Sequence, residues 1–272
     1  MRGRAKSRKG AMTMNQSEKR LFLIQSLLKE RPEYQQLDVP QDAAQQRQLL
    51  RGLMNIRPPQ GADEAFLRVQ DDYLRGETAA KGVTDVEELT PVRPGLYLWQ
   101  GDITTLQCDA IVNAANSGMT GCYIPNHRCI DNAIHTYAGV ALRRYCAEMM
   151  EKQGYPEPTG QAKITPAFDL PCRYILHTVG PIITGSVTKR DRELLAACYR
   201  SCLELAAEKG LKSVAFCCIS TGEFHFPNDQ AAEIAVETVE DFLKRDTSVQ
   251  KVIFNVFKDL DKELYEKRLG IH

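Results

Sequence analysis

GDITTLQCDAIVNAANSGMTGCYIPNHRCIDNAIHTYAG, residues 101–139, sets a strand, a small-residue loop, a Cys/His cluster and a helix start in one unbroken run. The apolar Ala110-Ile111-Val112 ends at Asn113-Ala114-Ala115-Asn116. Two carboxamides therefore stand at the C-terminal end of a strand, where open α/β sheets bind ligands and where each amide can both donate and accept. Asn also closes such turns on its own backbone. The pair, taken with the Cys/His cluster after it, points to a ligand site.

That cluster is Cys122-Tyr123-Ile124-Pro125-Asn126-His127-Arg128-Cys129, a Cys-x4-His-x-Cys pattern. Thiolate and imidazole suit Zn²⁺. Pro125 and the close spacing of His127 and Cys129 preclude a single helical face, so a loop must fold around the ion. No second CxxC or HxH lies nearby, and three protein ligands with an open position is the catalytic arrangement. Two buried free thiols beside a surface histidine is the alternative. Asp131 comes next, placed to cap a helix expected from about Asn132 to Met150, whose N-terminus suits an anion. Its carboxylate could also act as a base or orient a water or a sugar hydroxyl. His135, amid Ile134 and Tyr137, reads as a core histidine.

Together GDIT, the apolar strand, NAAN, Asp131-x-x-Ile134-His135 and Ala138-Gly139 resemble a macrodomain, over roughly residues 90 to 270. The usual macrodomain carries a glycine run where this chain has the Cys/His insert, and that departure is similar to the zinc-containing subgroup. The resemblance implies an α/β fold, a mixed sheet between helices, and binding of ADP-ribose. It further implies a zinc-dependent hydrolase that frees mono-ADP-ribose from proteins, with Zn²⁺ on Cys122, His127 and Cys129 and catalysis by Asp131 with Asn116. By the same resemblance Asp102 and Ile103 hold adenine, Phe257 packs on it, and Asn255 and Asn113 line the pocket. Ser220, Thr221, Gly222, Glu223 and Phe224 grip the diphosphate and the distal ribose. It also implies company: a sirtuin-type ADP-ribosyltransferase and a lipoylated carrier protein as substrate, with a carboxylate ester as the linkage. An ADP-ribose reader with structural zinc and an O-acyl-ADP-ribose deacylase remain open beside the hydrolase.

Composition narrows the classes. Lys and Arg number 35 and Asp and Glu 35, so no global field argues for nucleic acid or a membrane surface. The nine cysteines, several in apolar segments, fit a reducing compartment better than a disulfide framework. No apolar run is long enough to span a bilayer. MRGRAKSRKG at the start is basic with no apolar stretch behind it, so a secretory signal is not expected and the cytoplasm is.

The chain divides into three units: a disordered basic tail over 1–14, a helical extension over 15–87 and the macrodomain-like part over 88–272. In the extension, Leu21, Phe22, Ile24, Leu27 and Leu28 recur at helical spacing before Arg31-Pro32. A second helix is expected from Asp42 to about Ile56, and a third after Gly61 with Phe66, Leu67, Val69 and Tyr73 on one side. None of these carries a motif for chemistry. Further on, Ala162–Phe168 and Tyr174–Val179 read as a hairpin whose Pro166 marks an edge. A helix is expected from about Asp191 to Lys209, then a buried strand over Val214–Ile219. The loop Ser220-Thr221-Gly222-Glu223-Phe224-His225-Phe226-Pro227 precedes a helix start, a good phosphate cradle, and His225 is a further candidate metal ligand.

Overall fold

The structure, a computed structural model, describes residues 14–271, so the expected tail lies outside it except for Met14. Three helices come first: α1 (Gln16–Lys29), α2 (Ala43–Ile56) and α3 (Glu64–Lys81). Each starts where a polar side chain takes orphan amides of the first turn. Asn15 and Glu18 cap each other reciprocally, Asp42 accepts from Gln45, and Asp63 accepts from Ala65 and Phe66. Their apolar stripes, including Leu23, Ile24, Leu50, Leu53, Phe66 and Leu74, close into a cluster of their own that Val140 joins from the rest of the chain. Full burial of each such side chain contributes about 1.5–3 kcal/mol, so packing rather than propensity holds these helices.

The strands, in chain order, are β1 (Thr84–Asp85), β2 (Leu96–Gln100), β3 (Leu106–Gln107), β4 (Ala110–Ala114), β5 (Ala162–Pro166), β6 (Tyr174–Thr178), β7 (Ser213–Phe216) and β8 (Lys251–Val256). β1 and β3 make a small parallel pair. The other six form a mixed sheet in the order β2-β8-β7-β4-β6-β5. All its pairings are parallel except β5 with β6, the expected hairpin, and Pro166 sits on the edge strand as its missing N–H requires. Strands β4, β7 and β8 are buried along almost every residue, as parallel strands covered on both faces must be. Helices α4 (Ile130–Tyr137), α5 (Val140–Gln153), α6 (Lys189–Glu208), α7 (Asn228–Leu243) and α8 (Asp259–Leu269) flank them. Because β2, β4, β7 and β8 run the same way, the loops after them gather along one edge. Among the described residues no helix is long and apolar enough to cross a membrane.

Three local expectations are corrected. The single helix from Asn132 to Met150 is two, broken at Gly139, whose φ of +86° puts it in the region that favours glycine. A Cβ there would fall 2.5 Å from Gln70 Nε2, and Gln70 Oε1 accepts the Val140 N–H at 3.0 Å, so α3 both forces the break and caps the second piece. The cap of α4 is Cys129, whose Sγ accepts from Asn132 N, which leaves Asp131 free for other partners. The buried strand stops at Phe216 rather than Ile219, because the Cys218 carbonyl turns to accept the Thr221 hydroxyl at 3.0 Å and opens the loop.

Candidate functional site

Asp131 is the centre of the edge. It lies in the first turn of α4, 5% exposed, and its carboxylate is held by two amides: Asn113 Nδ2 donates to Oδ1 at 2.8 Å and Asn116 Nδ2 to Oδ2 at 3.3 Å. Burial pushes this carboxyl up to about 6, against the pull of the two amides and of Arg143. Asn113, next to last in β4, lies beside His177, its parallel neighbour on β6. Its amide also meets His177 Nδ1 at 3.2 Å, and His177 Nε2 meets the Thr165 hydroxyl at 2.9 Å. An amide donor at Nδ1 requires the neutral ring with its proton on Nε2, in line with burial holding this imidazole down at about 3. The chain Thr165–His177–Asn113 thus fixes which way the Asn113 amide faces.

Asn116 joins this carboxylate to the Cys/His loop. Its Nδ2 also donates to Gly121 O at 3.1 Å, and its Oδ1 accepts Gly118 N at 2.9 Å. In the next residues the ligating atoms of Cys122, His127 and Cys129 lie within 4.8 Å of one another, with Cys122 Sγ 3.5 Å from His127 Nδ1. His127 Nε2 faces Glu223 Oε1 at 3.4 Å, so the ring turns Nδ1 toward the thiols. Two sulfurs and one imidazole nitrogen converging in this way are a donor set that fits zinc. His225, the further candidate, is not part of the cluster. His135 lies beneath it, wholly buried and neutral, packed so closely that a Cβ on Gly121 would fall 2.7 Å from its ring.

The loop after β7 is held by its own backbone: Phe226 N donates to Ser220 O at 2.9 Å and His225 N to Gly222 O at 3.0 Å. Phe224 O accepts Ile183 N at 2.8 Å, which ties this loop to the segment after β6. At Gly180 a Cβ would sit 2.0 Å from Ser220 Oγ, so only glycine fits there. Ser220 and His225 both have positive φ, as do Met119 and Asn126 in the loops after β4. Among the described residues, four of the five such non-glycine positions thus lie on this edge, the usual place for stored backbone strain.

At the far end, the Gly101 to Ile103 turn comes directly after β2. Asp102 Oδ1 accepts from Thr104 N and Oγ1, at 3.0 and 2.6 Å, and Oδ2 accepts from Lys81 Nζ at 2.9 Å. Burial works against ionisation here, but these donors outweigh it and hold the carboxyl below its ordinary range. Asn255 Nδ2 donates to Gly101 O at 2.9 Å and so fixes this turn to β8. Phe257, just past β8, is 74% exposed and offers a free aromatic face. Asp102, Asn113, Asn116, the Cys/His loop, the Ser220 loop and Phe257 belong to the loops or strand ends along one side of the sheet, and Asp131 to the helix start that follows one of those loops.

The Macro domain family model matches residues 112–235. A Treponema medium protein called Protein-ADP-ribose hydrolase is 58% identical over 261 residues, 94% of this chain and 100% of that protein. The chain belongs to the macrodomain family. A solved Oceanobacillus iheyensis macrodomain mutant with ADPR is 39% identical, with a TM-score of 0.61 over 67% of this chain and 96% of that one. A Fusarium oxysporum protein called Probable bifunctional ADP-ribose hydrolase/ADP-ribosyltransferase is 42% identical over 242 residues, 82% of this chain and 40% of its own length.

In this macrodomain the residues that act through others are the ones the sequence hides. His177 is one residue of the apolar run Tyr174–Val179, yet in the fold it orients Asn113. Lys81, at the end of α3, lies 3.4 Å above the Tyr137 ring while it binds Asp102. Arg51 and Asn55 of α2 reach the Cys/His loop itself. Nothing in a helix's polar positions distinguishes such residues from solvated ones. A buried hydrogen-bonding histidine opposite an asparagine, His177 beside Asn113, is the one signal within reach.

Proposed function

We propose that this macrodomain is a zinc-dependent hydrolase that removes mono-ADP-ribose from modified proteins, with a carboxylate ester on Asp or Glu as its linkage. The observation that carries this reading is Asn116: one amide group touches both the buried, titratable Asp131 and the loop of Cys122, His127 and Cys129. The relative called Protein-ADP-ribose hydrolase and the neighbour with ADPR support it.

Asp102 accepts from the adenine amino group, the Ile103 N–H adds a second contact, and Phe257 stacks on the purine. Asn255 lines this end by keeping Gly101 in place. Backbone N–H groups of Ser220, Thr221, Gly222, Glu223 and Phe224 take the diphosphate and the near side of the distal ribose. Glu223 contributes only its backbone, since its carboxylate would repel phosphate and is turned to His127. The distal ribose then lies between Asn116 and the Cys/His loop, with Asn113 behind it. Cys122, His127 and Cys129 would hold the zinc, which would supply Lewis-acid chemistry beside the distal ribose. Asp131 orients the attacking water and takes its proton, a task that suits a carboxyl raised to about 6.

The substrate protein we favour is a lipoylated carrier modified by a sirtuin-type transferase, and the fungal relative whose name joins hydrolase and transferase supports such company. With all nine cysteines free, the cytoplasm is the compartment we assign. The test is release of ADP-ribose from an Asp- or Glu-modified protein before and after chelation, with metal content measured on the same samples. Release should stop with loss of zinc and return on its addition. No release from zinc-loaded protein on any linkage would make this a reader module, and release from O-acyl-ADP-ribose alone would make it a deacylase.

A further inference from the structure

We propose that α2, in the N-terminal helical unit, is the positioning element of the Cys/His loop, with Arg51 the residue that sets where His127 stands. This rests on the reading of Cys122, His127 and Cys129 as a zinc site. Little else fixes the His127 end of the loop: His127 N donates to Ile124 O at 3.2 Å, and Arg143 of α5 reaches only as far as Cys122 O, at 3.3 Å. The loop has no helix or strand between Ala114 and Ile130, and Asn126 keeps a φ of +57°, a conformation that costs a non-glycine residue energy unless its surroundings impose it.

The surroundings that impose it come from α2. Asn55 Oδ1 accepts the Asn126 N–H at 2.9 Å, and Arg51 Nη2 donates to the His127 carbonyl at 3.0 Å, so the dipeptide carrying the imidazole is gripped at both ends. The same guanidinium donates to Asn132 Oδ1 from Nη2 at 2.8 Å and from Nε at 3.2 Å. Asn132 in turn donates from Nδ2 to Ile124 O at 3.0 Å, and its backbone N–H meets Cys129 Sγ at 3.4 Å. One side chain therefore reaches two of the three ligand positions, the first through a carbonyl and the second through Asn132. Gly52 permits the approach, since a Cβ there would already stand 3.2 Å from Asn126 Nδ2. None of these contacts touches Asp102 or the Ser220 loop, so the effect should fall on metal retention and spare the nucleotide end.

The experiment measures zinc affinity by chelator competition on the full chain, for wild type, Arg51→Lys and Arg51→Met, with ADP-ribose affinity determined on metal-stripped protein. Outer partners of metal ligands typically govern affinity by about 10- to 100-fold, and Arg51→Met should weaken zinc binding by about tenfold or more. Arg51→Lys should fall between, because one ammonium cannot span both acceptors. Hydrolysis at limiting zinc should fall in the same order and recover at saturating zinc, while stripped variants bind ADP-ribose as wild type does. Gly52→Val, which wedges α2 from the loop without removing a charge, carries the same expectation should Arg51→Met fail to fold. Zinc affinities equal to that of wild type, or ADP-ribose binding lost in the stripped variants, would overturn the proposal. A wild type that takes up no zinc would remove the metal site and the brace together, whereas zinc-loaded wild type with matching variants removes only the brace.

Discussion

Asn113 Nδ2 donates to Asp131 Oδ1 at 2.8 Å, and its second hydrogen is committed to His177, so the amide cannot flip to present its carbonyl to the carboxylate. Asp131 is therefore kept as an acceptor, ready to hold a proton taken from elsewhere. With burial raising it to about 6, turnover should climb with pH through about 6 and level off above. Asp131→Asn should lower kcat by about 10²–10⁴-fold and abolish that rise. A pH–rate profile on both proteins checks it, and an unchanged profile would assign the base elsewhere.

The same shift has a stability side, with the opposite sign to the usual paired carboxylate. Between the unfolded value of about 4 and the folded value of about 6, the unfolded chain has already lost a proton that the folded one keeps. This group's contribution to stability thus falls as pH rises through that window and stays low above it. Wild type should therefore lose stability relative to Asp131→Asn as pH rises from about 4 to about 6, on top of a pH-independent cost of the substitution, whose single amide oxygen cannot satisfy both donors. A stability difference between the two proteins that stays constant across that window would show that Asp131 does not titrate there.

Much of this site can be read from residues 101–139, because the residues that touch one another there are near in sequence and their chemistry is displayed by type. Asn116 lies 15 positions from Asp131, and the three candidate ligands span eight residues. The parts that resist reading come from afar. Arg51 and Asn132 are 81 positions apart, and an arginine on a helix looks the same whether it meets water or a loop. Asp131 reads as the helix cap because Asp commonly is one, but Cys129 holds that place and so leaves the carboxylate to the two asparagines. The break at Gly139 is hidden by an apolar pattern that continues through it, since Gln70 of α3 makes the break.

That break gives a stability prediction. Gly139→Ala would place a methyl group 2.5 Å from Gln70 Nε2 at a φ of +86°, and would displace the side chain that caps Val140. The backbone conformation, with ψ at 171° a region almost confined to glycine, costs about 1–3 kcal/mol and the lost hydrogen bond about 1 more. The variant should be less stable by about 2–4 kcal/mol, a fall of roughly 5–15 °C in Tm. Gln70→Ala should lose less, having only the hydrogen bond to forfeit. Equal losses, or none, would mean that α3 does not hold this junction.

Asp102 tests the other end of the edge. Its Oδ1 is taken by Thr104, and Lys81 shares Oδ2, so an adenine amino group would add one charge-assisted hydrogen bond to a carboxylate already ionised. Removing it with Asp102→Ala should weaken ADP-ribose binding by about 1.5–3 kcal/mol, roughly 10- to 100-fold. Zinc content should not change, because no contact runs from Asp102 to the Cys/His loop. Calorimetry with ADP-ribose beside metal analysis separates the two, and unchanged affinity would remove Asp102 from the adenine site.

The cysteines themselves supply the sharpest contrast. Cys122 and Cys129 are half-buried beside His127, whereas Cys202 and Cys217 are fully buried in the core; burial pushes the Cys129 thiol up as it does theirs, so the difference lies in the neighbours. Cys202 lies near the thiols of Cys198 and Cys217 but belongs to no converging ligand set among the described residues, whereas Cys122 and Cys129 converge on one another and on the His127 imidazole, the mixed set that zinc takes. Wild type should carry one zinc per chain, Cys122→Ala should carry almost none and lose turnover with it, and Cys202→Ala should keep both the metal and the activity. Cys202→Ala would instead report in melting temperature, as a small cavity in the core does. Should Cys122→Ala be free of metal and still fully active, the zinc would have no part in the chemistry, and Asp131 with its two asparagines would have to account for hydrolysis alone.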